Sequence, residues 1–182
     1  MALRDVLVGV SAATRVRVLR LWDLHEAGVV DRDEFVEAAA AVIAVGNEQA
    51  VSAADVELAV QLAVDDDVDP VGVDRPAGDV DRLMLSVGTV LAADVVTADT
   101  AEQMSESRAA RLGRLSAAEP LAAGQDGFMA AMAARAVPGW IRVTDSDPCP
   151  LCQTLSDGRV RPPTVPFVRH PGCTCMQQPV LV

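Results

Sequence analysis

The sequence predicts a mainly α protein, an Ala-rich helical body followed by a small C-terminal α+β module. Three observations predict it. Hydrophobic residues make up 51% of the chain and aromatics only 3%, with no Tyr, so the apolar content is mostly Ala, Val and Leu, the material of close-packed helices. Prolines are sparse as far as Val137 and then crowd the tail at Pro138, Pro148, Pro150, Pro162, Pro163, Pro166, Pro171 and Pro179, and all four cysteines lie in the same stretch. Charge changes at the same boundary. The tail, residues 138–182, holds four arginines against three aspartates, so the net −11 divides into +1 there and −12 on residues 1–137.

Periodicity assigns the helices of the body. From Ser11 to Ala27, Val18, Leu21, Trp22 and His25 recur at three- and four-residue spacings, and Gly28 ends the run. Asp31 with Glu34 forms the pattern of a capping box and opens a second helix through Phe35, Ala38, Val42 and Val45 to Val64. Asp65, Asp66, Asp67 and Asp69, with Pro70, Gly72, Pro76 and Gly78 behind them, read as an exposed acidic linker or loop. A third helix is expected over Val80–Val96, with Leu83, Val87, Val90 and Leu91 on one side, and a fourth over Thr100–Ala117. Pro120 suits the first turn of a fifth, which carries Phe128, Met129 and Met132 and stops before Pro138. The organisation expected is N-terminal helices over 1–64, a linker over 65–79, a second helical segment over 80–137 and a separate module over 138–182.

Composition also excludes functions. All 15 basic residues are Arg, and an acidic body disfavours a nucleic-acid binder held by a basic face. No apolar run reaches the 18 or so residues a membrane span needs, and Met1–Asp5 lacks the charged and apolar regions of a secretory signal, so a reducing cytoplasm is expected. His25 has no nucleophile or acid tied to it by spacing and reads as a helix residue rather than a catalytic base. The Asp65–Asp69 run lacks the alternate oxygens, central Gly and closing Glu of a calcium loop. Met129 and Met132 read as core filler.

The tail carries the chemistry. Trp140–Val143 reads as a short strand, followed by Cys149-Pro150-Leu151-Cys152, a turn at Asp157-Gly158 into Arg159-Val160, a Pro-rich loop, and His170-Pro171-Gly172-Cys173-Thr174-Cys175. The two clusters share one pattern: ligand, Pro, one residue, Cys. A two-residue spacer around a tight turn points both side chains the same way and turns backbone N–H groups toward the thiolates, as a zinc knuckle requires. Two such knuckles, separated by the 17 residues 153–169, close a tetrahedron. Cys149, Cys152 and Cys173 are three of its ligands; His170 is favoured as the fourth for its matching spacing, with Cys175 in reserve. A pair of disulfides, or free thiols, is the competing reading, and the lack of a secretion signal weakens it. A site rich in thiolate with no glutamate in the module reads as structural zinc, not catalytic. The fold class is therefore completed as a helical body with a small C-terminal α+β zinc-knuckle module.

Gly139-Trp140-Ile141-Arg142-Val143, Asp147-Pro148-Cys149-Pro150-Leu151-Cys152, Leu155 with Asp157-Gly158, and His170 to Cys175 ahead of Pro179-Val180 resemble the C-terminal end of the phage Mu F-like minor head proteins. Upstream, Arg111-Leu112-Gly113-Arg114-Leu115 leading to Ala118-Glu119 is similar to the Arg-rich helix and acidic element that precede that end in the family. The resemblance covers about residues 108–182 and is specific in its Cys/His part. It implies a minor capsid, or head morphogenesis, protein of a tailed phage, of the type carried by phages of actinobacteria. Such a protein is a virion component inside the head, near the portal or the inner capsid surface, and is present in the host cytoplasm during assembly. Its implied partners are the portal protein and the major capsid protein, with only incidental DNA contact. The expected function is structural and non-enzymatic. The alternatives are a capsid maturation protease or other head-assembly enzyme, and a zinc-ribbon nucleic-acid-binding module. A protein partner is expected to meet apolar anchors such as Trp22, Leu24 or Phe35, with Arg15, Arg17 and Arg20 at the rim.

Overall fold

Among its described residues, 2–63, 68–73, 79–92 and 101–180, the computed structural model of the chain contains α1 (Leu3–Glu26), α2 (Arg32–Leu62), α3 (Asp79–Ala92), α4 (Ala101–Ala134), β1 (Gly139–Val143), α5 (Pro150–Leu155) and β2 (Met176–Val180). The mainly helical body and the small α+β tail are as the composition predicts. Asp65–Asp67 of the acidic run, residues 93–96 of the expected third helix and Thr100 lie outside the described residues.

Helix α1 begins at Leu3, well before Ser11. Its buried stripe is Leu3, Leu7, Ser11, Thr14, Val18 and Trp22, at regular helical spacing. Two hydroxyl residues in the middle of that stripe hide it from an apolar-only reading. Burial costs them little, because Ser11 Oγ donates to the Ala117 carbonyl at 2.7 Å and Thr14 Oγ1 to the Val10 carbonyl at 2.9 Å. Gly28, at φ 69°, ends the helix: its N–H bonds the His25 carbonyl while that of Val29 bonds Leu24, the paired bonds of a Schellman motif. The capping box at the start of α2 is complete. Asp31 Oδ1 accepts from the N–H groups of Asp33 and Glu34, both at 2.9 Å, and Glu34 Oε2 accepts from the Asp31 N–H at 3.0 Å.

Pro120 does not start a new helix; α4 runs through it from Ala101 to Ala134. A proline in a helix interior costs about 3 kcal/mol, since it supplies no N–H to the carbonyl four residues back. Packing offsets that cost here. Pro120 is buried against α2 at Gly46, and the Ser11 hydroxyl bonds the Ala117 carbonyl next to the interrupted turn. The helices of the body thus read as four, not five, among the described residues.

Helix α4 serves two cores. Val18, Trp22, Phe35, Ile43, Leu83, Val87 and Leu112 join α1, α2, α3 and the first half of α4. Leu7, Ala54, Leu58, Phe128 and Met132 join α1, α2 and the second half of α4, and the same cluster continues without a break into Trp140, Cys152, Phe167, Cys173, Cys175 and Met176 of the tail. The change of composition at Pro138 is therefore crossed by the core. Strands β1 and β2 pair antiparallel, Trp140 opposite Pro179 and Arg142 opposite Gln177. The second strand is the last segment of the tail; the Asp157-Gly158 turn, with Gly158 at φ 69°, leads instead to a single bridge between Arg161 and Trp140.

Trp22 and Phe35 are interior residues, at 4% and 0% exposure, and stand edge to face with ring centroids 5.6 Å apart. They are core, not surface anchors; Leu24 is exposed. His25 stacks on Phe35 with centroids 5.4 Å apart, and its Nδ1 meets the Val30 carbonyl at 3.0 Å, which pins the α1–α2 turn.

Helices α1, α2 and α4 crowd together at Gly46. A Cβ there would stand 2.3 Å from Thr14 Oγ1 and 3.3 Å from Pro120 Cγ. Thr14 is buried, so neither neighbour has room to withdraw. Gly46→Ala is expected to destabilise the protein by about 1–3 kcal/mol through overpacking, despite the better helix propensity of alanine. Thermal unfolding followed by circular dichroism checks this; a midpoint equal to or above that of the wild type contradicts it.

Candidate metal centre

Two short turns build the centre. Cys149 caps α5 in an extended conformation with Pro150 in the first helical turn, a position that needs no N–H donor. The backbone N–H of Cys152 donates to Cys149 Sγ and, with the Cys152 side chain and the backbone N–H of Leu151, holds its thiol below the ordinary range. Residues 170–173 form the second turn. The Cys173 N–H bonds the His170 carbonyl at 3.0 Å with Gly172 at φ 76°, the signature of a type II turn carrying Pro at its second position and Gly at its third. That turn brings both His170 and Cys173 beside Cys152.

The histidine is also set in its tautomer. Nδ1 lies 3.1 Å from the Pro171 carbonyl, an acceptor only, so the tautomer this contact favours for a neutral ring carries its proton at Nδ1 and turns Nε2 to the sulfurs. Nε2 lies 3.3 Å from Cys149 Sγ and 3.5 Å from Cys152 Sγ, and Cys152 Sγ lies 3.7 Å from Cys173 Sγ. Metal–sulfur and metal–nitrogen bonds of about 2.3 and 2.05 Å give tetrahedral edges of about 3.8 Å between two sulfurs and about 3.6 Å between sulfur and nitrogen. These three edges, of the six that a tetrahedron has, match those lengths to within about 0.3 Å.

All five residues singled out in the sequence come together, in two groups. Cys149, Cys152 and His170 form one, and Cys152, Cys173 and Cys175 the other; within each, the ligand atoms lie within 4.8 Å of one another. They lie close enough to bind a metal. Cys152 belongs to both groups. Burial pushes its thiol well above the ordinary range, and the sulfurs of Cys175, Cys149 and Cys173 add to that shift. A cation among them reverses the balance, because a coordinating thiol gives up its proton outright. The four cysteines are free thiols; the 3.7 Å between Cys152 and Cys173 is far from the roughly 2.05 Å of a disulfide.

The loop between the knuckles is held from β1. Trp140 is 1% exposed and packs edge to face on Phe167, while the Arg142 guanidinium lies 4.0 Å from the centre of the same ring and donates to the Val168 carbonyl. Arg161 exchanges backbone bonds of 2.8 Å with Trp140 and pairs with both carboxylate oxygens of Asp157. A group that sequence reasoning missed approaches from α4. Gln125 is fully buried, and its Nε2 donates to the carbonyls of Cys173 at 2.9 Å and Cys175 at 2.8 Å. The only sign of it in the sequence is one amide among the small and apolar residues Leu121–Gly127.

Other residues named from the sequence lie elsewhere. His25 belongs to the α1–α2 turn. Glu119 accepts two bonds from Arg82, at 3.0 and 2.6 Å, and joins α4 to α3. No helix among the described residues is long and apolar enough to cross a membrane. Comparisons of the chain with protein-family models, with curated proteins and with solved structures return no match.

The shared position of Cys152 ranks the ligands. In a Co2+ titration followed by its absorbance, Cys152→Ser should weaken binding most, by about 100-fold or more, the order of one ligand's share of a four-ligand site. Comparison of His170→Ala with Cys175→Ala then identifies the fourth ligand as the one whose loss weakens binding more. Equal losses for Cys152→Ser and Cys175→Ser would place the centre elsewhere in the cluster.

Proposed function

We propose that the chain is a structural, non-enzymatic component of a tailed-phage head, a minor capsid protein of the Mu F-like kind, whose tail is fixed by one zinc ion. The observation that carries this reading is that Cys149, Cys152 and His170 form one close group and Cys152, Cys173 and Cys175 a second that shares Cys152, and these are the residues on which the resemblance rests. Zinc is favoured over other divalent ions by the thiolate-rich donor set and by edges of tetrahedral length. Cys149, Cys152 and Cys173 with His170 or Cys175 fill its coordination sphere, which leaves no position for a substrate. Zinc so bound supplies folding free energy to a segment with little core of its own.

The function is assembly rather than catalysis. A serine protease of head maturation needs a histidine within reach of its nucleophile, whereas His25 is engaged with Phe35 and Val30 and His170 with the sulfur cluster. The partner is the portal protein or the inner surface of the major capsid shell. With Trp22 and Phe35 buried, the contact surface on α1 is the exposed Leu24 with Arg17 and Arg20 on the same side of the helix, whereas Arg15 lies beside Gly113 of α4. The −12 on residues 1–137 repels phosphate and makes DNA contact incidental.

Two measurements test this. Elemental analysis of protein purified under reducing conditions should find about one zinc per chain; no metal, or a different metal in stoichiometric amount, contradicts the zinc assignment. The chain should be present in purified procapsids and virions and should co-purify with portal or shell protein after nuclease treatment. Absence from both particles overturns the head-protein reading, and capture abolished by nuclease replaces it with nucleic-acid binding.

A further inference from the structure

Gln125 stands 48 residues before Cys173 in sequence, on a different element, and has no exposure to solvent. A buried glutamine has four hydrogen-bonding positions to satisfy, and α4 offers it none in its own helix. Both hydrogens of its amide nitrogen are spent on one object, the second knuckle, through the carbonyls of Cys173 and Cys175. Because both partners are acceptors only, the amide can face them in one orientation alone. The arrangement is reinforced from behind, where Gln177 Nε2, itself on a residue only 4% exposed, donates to the Gln125 backbone carbonyl at 3.0 Å. The amide oxygens of Gln125 and Gln177 have no hydrogen-bond partner among the described residues. Neither residue is therefore placed to satisfy its own polar groups. Their donors are used to hold backbone.

The backbone held is that of the metal-ligating segment. Fixing the carbonyls of residues 173 and 175 fixes the peptide planes that follow Cys173 and Cys175 and, with them, constrains the directions of both cysteine side chains. Thr174 is tied on the other side, where its hydroxyl donates to Asp145. We propose that Gln125 is a positioning residue of the metal centre: it orients Cys173 and Cys175 by clamping their carbonyls, and so couples metal affinity to helix α4. The inference rests on the metal-binding reading of the Cys/His cluster and adds a residue outside the tail to it.

Outer partners of this kind typically change metal affinity by about 10–100-fold when removed. The test uses the full chain loaded with Zn2+ and titrated with a chromophoric chelator, together with the visible spectrum of the Co2+ form. Gln125→Glu keeps the size but faces two carbonyls with a carboxylate, and Gln125→Met keeps the volume while removing the donors. Both are expected to lose zinc at chelator concentrations about 10–100-fold lower than the wild type and to shift the Co2+ bands. Met132→Ala, a cavity in the same core at a residue outside both Cys/His groups, serves as the stability control. It should lower the melting temperature with little change in chelator midpoint or spectrum. Should either Gln125 variant fold too poorly to titrate, Gln177→Met removes the supporting bond and is expected to move zinc release in the same direction by a smaller factor. The proposal is overturned if the Gln125 variants, helical by circular dichroism, hold zinc as tightly as the wild type, or if Met132→Ala weakens binding equally. Wild-type protein that takes up neither Zn2+ nor Co2+ overturns the metal reading itself, a result distinct from tight binding unaffected at Gln125.

Discussion

Sulfur rather than hydrocarbon occupies the centre of the C-terminal part of this protein, and the surrounding structure depends on that choice. Cys152, Cys173 and Cys175 are 2%, 3% and 1% exposed and sit in one cluster with Phe128, Met132 and Trp140, where leucines would ordinarily pack. A thiol there is a small hydrophobe with only a weak donor and acceptor, and its short side chain leaves the backbone close to the centre. The backbone must then be held by direct bonds: the type II turn at residues 170–173, the N–H groups that point at Cys149, and the Gln125 amide across the two carbonyls. The tail is ordered from its polar groups inward.

That arrangement requires a stiff wall to work against, and α4 supplies it. The helix packs on α1 and α2 through residues without large side chains: a Cβ at Gly124 would meet Leu7 Cδ2 at 2.6 Å, just as one at Gly46 would meet Thr14. Small residues at such crossings bring backbones together and bury Leu7, Phe128 and Ala54 fully. The same helix tolerates Pro120 because α1 and α2 clamp the interrupted turn. Composition and architecture meet here: a core with few rings has to gain its density from close helix approach.

The sequence made legible what is local and hid what is assembled. The capping box at Asp31, the glycine stop at Gly28, the strand at Trp140 and the five metal-ligand candidates all follow from residues within a few positions of one another. What was not legible depended on distant partners. Ser11 and Thr14 interrupt the apolar stripe of α1, and only the Ala117 carbonyl on α4 explains how a serine is comfortable there. Pro120 reads as a helix start because the packing that carries it through the interior of α4 comes from α1 and α2. Gln125 is the extreme case, since both of its acceptors are backbone atoms of residues whose side chains already had a role.

The placement of charge follows from the same economy of polar groups. The formal +1 on the tail suggests a weakly basic surface, yet each of its four arginines already has an acceptor within the fold. Arg142, 6% exposed, bonds Val168 and covers Phe167; Arg161 and Arg159 share Asp157; Arg169 makes two bonds of 2.6 Å to Asp126 on α4. A phosphate backbone would have to displace these internal acceptors before gaining any contact, and the electrostatic term of nucleic-acid binding depends on cations free to release counterions. The arginines of the tail therefore act as cross-links. Arg169–Asp126 ties the residue before His170 to the turn of α4 that carries Gln125, so an ion pair at the surface and an amide in the interior hold the same knuckle against the same helix from two sides.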